Sequence, residues 1–465
     1  MRRTELLVVG AGPAGLAAAA EGARAGIRVL VIDENLQPGG QIYRQTPPEF
    51  RFVPPPRRTD DFRKGRALIA EALAAGVELR LGCTAWASFE PGIMDVIDAA
   101  GPDRIHAQRT ILAIGACDRP APVPGWTLPG VFTVGGAQAL LKGQRILPGR
   151  RVLLGGVGPL LLVVASQLSD AGADVVAVAE PAPWWAGAAI LPALAREWPL
   201  LRDGIRYRAG LAWQGVPWLS RTAVTRIDGN DRVTGAVVAR VDRDWRPVAG
   251  SERRFEVDAV AIGYGLLPSI DLPRICGCAL EYDVVARAWS PARNDVFEST
   301  VPGVFVVGDG AGVAGAIVAM EEGRIAGLTA AQQLGRSGGT EYDRRVALHR
   351  RRIAALERFR LAVNRAYALR SGLFELADSR TVACRCEEVT FDDLEQAVLD
   401  GADTLAVLKS FTRCGMGPCQ GRMCAAATTE WLAARTGRDP ESIGVLPAAP
   451  PAKPVVTLDA LASSG

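Results

Sequence analysis

The sequence predicts an α/β chain: two strand-turn-helix-strand units of the dinucleotide-binding kind, followed by a small cysteine-ligated domain. Three observations predict it. A glycine fingerprint occupies residues 10–15, a second glycine-rich turn occupies residues 155–159, and five of the nine cysteines fall between Cys384 and Cys424. At 465 residues the chain has room for about three domains. A hydrophobic share of 49% with 22% charged residues is globular and argues against disorder. The net charge of +3 is too mild to argue for a nucleic-acid partner. Only His106 and His349 are available for imidazole chemistry, and both are expected at surface or turn positions.

The first unit opens with an apolar strand, Glu5 to Val9, and turns at Gly10-Ala11-Gly12-Pro13-Ala14-Gly15. An alanine-rich helix then runs from Leu16 to Arg24 and closes at Gly26. Pro13 suits a first helical turn, where a missing N–H leaves nothing unpaired. A second strand from Ile27 ends at Asp33, with Glu34 beside it. The glycines let the backbone approach a pyrophosphate at the helix N-terminus, and the Asp33 carboxylate suits a ribose hydroxyl. The same glycines interrupt the opening apolar run at a spacing that an export helix does not need. No stretch gives about 18 uninterrupted apolar residues, so no transmembrane segment is expected. The cysteines are therefore expected in a reducing cytoplasmic setting, as metal ligands or free thiols.

The second unit starts at Arg151, turns at Gly155-Gly156-Val157-Gly158-Pro159, continues as a helix to about Asp170 and ends a further strand at Glu180. Leu161 stands where the third glycine belongs, so it is expected to push helix from strand and crowd a pyrophosphate. Between and after the units, Arg109 to Ala116 and Val304 to Asp309 read as apolar strands ending in small or acidic residues. Ala113, Gly115, Gly308 and Asp309 are the points where an extended flavin could meet a strand end. A helix from Gly315 to Ala330 follows.

The cysteines are written Cys384-x-Cys386, then Cys414-x4-Cys419-x4-Cys424. Soft thiolates in that number hold either a [2Fe-2S] cluster or zinc. Gly415, Gly417 and Gly421 leave backbone N–H groups free to point at sulfur. Thr390, with Asp393 three residues on, is expected to cap a helix ending at Gly401. Cys83, Cys117, Cys276 and Cys278 are scattered and read as buried thiols.

The order of motifs over residues 1 to about 335 resembles the two-dinucleotide-domain flavoproteins similar to thioredoxin reductase. The resemblance implies two Rossmann-like domains: 1–117 with 268–335 binding FAD, and an inserted, NAD-like 118–267. No cysteine pair stands in Gln41-Ile-Tyr-Arg-Gln45 or in Phe132-Thr-Val-Gly-Gly-Ala137, so disulfide reduction is not expected. Over nearly the whole chain, Pro38-Gly-Gly-Gln-Ile-Tyr-Arg44, Gly263-Tyr-Gly265, Cys384-Arg-Cys386 and Arg413 to Cys424 resemble the α-subunit of heteromeric opine oxidases, hydrogen cyanide synthase and the proline or hydroxyproline dehydrogenases. This brings Gly40 and Gln41 into the expected cofactor set. The resemblance implies a β-subunit resembling D-amino-acid oxidase that oxidises a C–N bond on its own flavin, with a small additional subunit in some assemblies. This chain would take the electrons onward to a quinone or the respiratory chain. No catalytic acid or base is expected here.

Residues 380–437 resemble the [2Fe-2S] domain of bacterioferritin-associated ferredoxin, which pairs Cys-x-Cys with a later Cys-x-x-Cys. Met416 replaces one ligand, so the implied set is Cys384, Cys386, Cys414 and Cys419, with Cys424 in reserve. The connector 336–379 carries nine arginines against three acids between Glu341 and Arg370 and reads as a basic amphipathic helix with solvated arginines. A peripheral contact with the inner face of a membrane is compatible with it. The Pro-rich tail, 438–465, is expected to lie along another subunit. Two other readings stay open: a self-contained NAD(P)H-dependent flavin/iron–sulfur reductase, and a non-catalytic scaffold holding ATP and zinc. NAD or ATP are thus further cofactor candidates.

Overall fold

The computed structural model describes residues 2–47, 60–194 and 197–455. Leu6, Leu7 and Val8 have no exposed surface, as a strand covered on both faces requires. Their strand, Arg2–Val9, pairs in parallel with Val29–Asp33 on one side and Gly101–Leu112 on the other. Glu78–Leu81 and Val304–Val306 extend this sheet in parallel. Ile93–Asp98 and Thr84–Ala87 complete its seven strands in antiparallel fashion. The helices Pro13–Arg24 and Ala316–Gln333 lie against one another over one face. Their approach depends on Gly323 and Gly327, where a Cβ would fall 2.1 Å from Ala14 O and 2.2 Å from Ala18 O.

A second, all-parallel sheet runs Trp218–Ser220, Asp174–Glu180, Arg151–Gly156, Ala259–Gly263, Val131–Thr133. The chain crosses from the first sheet to the second and back through one antiparallel pair, Ala116–Asp118 with Leu266–Pro268. Near the C-terminus, Thr390 caps Phe391–Leu399 in a reciprocal box with Asp393, as the sequence predicts.

The basic connector forms the helix Gly339–Ala366, but its arginines are not simply solvated. Arg345 pairs with Glu21 of the first helix, and Arg352 reaches Glu321 at 3.4 Å. His349 is buried and meets Glu321 at 2.5 Å. The surface-or-turn expectation is therefore corrected for His349, while His106 lies half-buried in the strand Gly101–Leu112. The physical reason is that Glu21 and Glu321 are buried on neighbouring helices, where Arg24 and Arg324 are joined by cations from the connector.

Burial alone would raise the Glu321 carboxyl, but the His349 hydrogen bond and the charges of Arg324, His349 and Arg352 outweigh it and hold the group below its ordinary value. A depressed folded-state value means that this stabilisation is complete above the unfolded carboxyl range and drains away as pH falls through the folded one. Glu321→Gln is therefore expected to lose roughly 3 kcal/mol at neutral pH. It should also flatten the acid side of the stability curve. Thermal unfolding from pH 7 down to pH 4 checks both.

The tail also departs from expectation through Lys453, because it packs on its own chain. Arg274 donates to Leu446 O, Ala452 N–H to Trp86 O at 2.8 Å, and Lys453 pairs with Glu34. Leu446 and Ala452 are buried by these contacts. Residues 456–465 of the tail lie outside the described residues. Among the described residues, no helix is long and apolar enough to cross a membrane.

Candidate functional site

Three strand ends of the first sheet converge on the N-terminus of Pro13–Arg24. Gly10 has φ +108°, and a Cβ there would stand 2.3 Å from Ala113 O. At Gly15 a Cβ would stand 1.8 Å from Gly10 O, so this glycine sets the strand–helix distance. Gly12 differs, since the nearest atom to its Cβ position is Gly40 Cα at 3.8 Å. Pro13 occupies the first turn, Gly12 is the cap residue, and no side chain caps the helix, leaving its N–H groups for an anion. Gly308 brings the third strand end in, with its Cβ position 3.0 Å from the Ala14 Cβ. Gly115 is open at its Cβ position, and Gln41 Nε2 donates to Ala116 O at 3.2 Å. The structure thus gathers Gly10, Gly12, Pro13, Ala14, Gly15, Gly40, Gln41, Ala113, Gly115 and Gly308 about the N-terminal end of this helix, the nucleotide groove of the fingerprint.

The acids of the groove are partly engaged already. Asp33 accepts from Ala11 N–H at 2.7 Å through one oxygen, and from the Asn35 backbone and side chain, each at 2.8 Å, through the other. Each carboxylate oxygen can accept a further bond, so these contacts orient Asp33 without exhausting it. Glu34 is exposed and held by Lys453. Burial pushes the Asp309 carboxyl up, against the N–H groups of Ala314 and Gly315, which it accepts at 2.9 Å each. Glu322, which sequence reasoning passed over, receives Gly308 N–H at 2.8 Å and Arg293 at 2.8 and 3.0 Å, fixing the third strand end. It lies in a helix with no pattern to mark it. The cradle fits a dinucleotide: close backbone approach, a free helix N-terminus, and an oriented acid at the second strand end.

The second unit is packed differently from what Leu161 suggested. Leu161 is 1% exposed and packs with Leu154, Val164 and Leu168, so its bulk goes into the core and not toward a phosphate. Glu180 accepts from the Trp218 indole N–H at 3.0 Å and from the Gly158 backbone N–H. Burial pushes its carboxyl up to about 7 despite both donors.

In the cysteine domain the Sγ atoms of Cys384, Cys414 and Cys424 all lie within 4.8 Å of one another and are buried. Cys386 and Cys419 make a second contact, backbone N–H and thiol to sulfur. Cys424, held in reserve at the level of sequence, thus stands beside Cys384 together with Cys414. Gly415 N–H points at Cys384 Sγ at 3.5 Å. Cys414 and Cys424 both hydrogen bond to Cys384 and hold its thiol well below the ordinary range, while the same contacts push their own thiols up. Ligation by a cation requires these thiols to ionise, so metal binding would release their protons. This donor set fits a thiophilic metal centre. Burial pushes the thiols of Cys83 and Cys117 up to about 11 and that of Cys276 to about 12.

Residues 4–335 match the pyridine nucleotide-disulphide oxidoreductase family, and residues 378–464 match the sarcosine oxidase A3 domain. The A-subunit of opine oxidase from Agrobacterium tumefaciens (strain Ach5) is 35% identical over 97% of this chain and 90% of its own length. Hydrogen cyanide synthase subunit HcnB of Pseudomonas aeruginosa is 34% identical, with 93% of each chain covered. The chain belongs to the family of opine oxidase A-subunits. It is an oxidoreductase subunit of flavoprotein type, as the match over residues 4–335 requires. Among solved structures, L-proline dehydrogenase from P. horikoshii superposes with a TM-score of 0.69 at 19% identity, covering 98% of this chain and 79% of that one. Thioredoxin reductase from T. acidophilum gives 0.53 at 21% identity over 72% of this chain and 99% of its own. At those identities the two structures establish the shared fold. They confirm the predicted α/β architecture with a thioredoxin-reductase-like portion.

Proposed function

We propose that this chain is the electron-carrying subunit of a heteromeric dehydrogenase or oxidase acting on the C–N bond of an amino acid, imino acid or opine. FAD would occupy the groove at Gly10 to Gly15 and a [2Fe-2S] cluster the cysteine loop. The observation that carries the reading is one chain holding both a dinucleotide cradle and a thiol trio, Cys384, Cys414 and Cys424, with the Cys386–Cys419 pair in the same domain, while burial pushes the remaining thiols up. A bound flavin takes two electrons together and releases them singly, which suits a cluster as the next carrier.

This chain's residues bind and orient. Gly12 and the free first-turn N–H groups would face the pyrophosphate, and Asp33 and Asp309 are oriented for hydroxyls. Cys384, Cys386 and Cys419 would hold iron, with Cys414 and Cys424 both close enough to Cys384 to take the fourth place. Gly415 N–H lowers the cost of negative charge on sulfur. The bond to hydrogen would break on a β-subunit resembling D-amino-acid oxidase, with or without a small third subunit. Electrons would leave to a quinone or another respiratory carrier, with the chain in the cytoplasm or peripheral at the inner face of a membrane.

Anaerobic purification with and without the co-expressed partner subunits, followed by flavin, iron, sulfide and zinc analysis, tests the reading. Flavin and iron are expected in this chain, with substrate-dependent bleaching only in the complex. Rapid bleaching of the lone chain by NADH, or stoichiometric zinc without iron, would reject it.

A further inference from the structure

One guanidinium ties three segments of the chain together. Arg422, between Cys419 and Cys424, donates to Cys419 O at 3.4 Å within its own loop and to Ala452 O of the tail at 2.6 Å. It also forms an ion pair with Asp271 at 2.8 Å, each side chain being 22% exposed. Asp271 opens the short helix Asp271–Ile275, directly after the strand Leu266–Pro268. That strand pairs with Ala116–Asp118, which leaves the groove at Gly115. One way from groove to cysteine loop therefore runs along this hydrogen-bonded strand pair to Asp271 and across the Arg422–Asp271 ion pair, while Arg287–Glu430 and Trp126–Val382 join the cysteine domain elsewhere.

The tail completes the joint. Gly415 and Gly421 accommodate Leu446, whose Cδ1 lies 2.6 and 2.3 Å from where their Cβ atoms would be. Seven residues on, Lys453 holds Glu34 at the groove. A cavity of about 120 Å³ remains at this junction, lined in part by Cys117, Asp271, Arg422, Leu446 and Ala452.

We propose that Arg422 is a positioning residue that fixes the span between the nucleotide groove and the cysteine loop. It makes the cluster domain and the groove one rigid electron-carrying unit. The assignment deepens the function proposed above and rests on it. Arginine is needed because its planar fork serves two carbonyls and a carboxylate at once, where an ammonium is a single point charge.

The test uses the full chain with its co-expressed partner, as wild type, Arg422→Ala, Arg422→Lys and Asp271→Asn. Arg422→Ala is expected to retain iron and sulfide. Hydrogen exchange of residues 415–424 and 444–455 should quicken by roughly tenfold or more, in line with the loss of charge-assisted bonds. The g-values of the dithionite-reduced cluster should shift. After photoreduction of the bound flavin with EDTA as donor, the cluster signal should rise at least about tenfold more slowly, from the same loss. Arg422→Lys should recover part of each effect, and Asp271→Asn should move them the same way by less. Wild-type exchange and spectra in Arg422→Ala would overturn the assignment, as would loss of metal from that variant, which would make Arg422 an assembly residue. Wild-type chain lacking iron or flavin would instead sink the proposed function, while the exchange comparison would still decide the Arg422 joint.

Discussion

Cys384→Ser is expected to empty the cysteine centre while leaving nucleotide bound. Cys384 is the sulfur at which the centre meets: both Cys414 and Cys424 lie beside it, Cys386 is two residues along, and Gly415 N–H is directed at it. A serine hydroxyl is a hard donor that does not ionise near neutral pH, so it cannot replace a soft thiolate toward iron or zinc. Iron and sulfide per chain should fall to near zero with the long-wavelength absorbance, while flavin content stays at the wild-type level. Because metal binding is also folding energy for a domain this small, residues from Ala383 to Ile443 should become protease-sensitive. Cys414→Ser and Cys424→Ser form the companion pair. Whichever of the two holds the fourth ligand place should lose iron, and the other should keep it. Full iron retention in Cys384→Ser would remove this centre from the mechanism.

Gly15→Ala and Gly12→Ala should fail in different ways. At Gly15 the added carbon would sit 1.8 Å from Gly10 O, a separation that no rotation relieves because both groups are backbone. Helix Pro13–Arg24 would have to move off its strand, and it cannot retreat, since Ala14 O and Ala18 O already touch Gly323 and Gly327 on the other side. A loss of roughly 4 kcal/mol or more is expected, in the range reserved for buried steric conflict. It should be seen as a large fall in Tm and as insoluble protein. At Gly12 the nearest atom is 3.8 Å away, which is ordinary contact, so the chain should fold with a near-wild-type Tm. There the carbon would enter the space that a pyrophosphate needs, and the purified protein should carry less than about a tenth of its flavin, since each 1.4 kcal/mol of affinity is tenfold. A flavin-replete Gly12→Ala would show that the ligand does not approach this turn.

Much of the fold was legible because its determinants are short-range. The fingerprint, the acid at Asp33 and the Thr390–Asp393 cap each span a few residues or one repeat of a βαβ unit, and backbone sterics at glycine or a side-chain cap dictates the local shape whatever surrounds it. The chain by itself therefore determined two dinucleotide-type units and a thiolate-rich domain.

Tertiary structure decided the pairings between distant residues. Glu180 meets Trp218 across 38 positions, Gly415 meets Cys384 across 31, Glu321 meets His349 across 28, and Glu34 meets Lys453 across 419. Such contacts depend on which faces two elements present after packing, and neither periodicity nor motif carries that information. For that reason the second unit's acid proved engaged, the basic connector proved an internal clamp, and Cys424 joined Cys384 and Cys414. A buried charge must find its counterpart wherever the fold brings one, and only the folded chain says where that is.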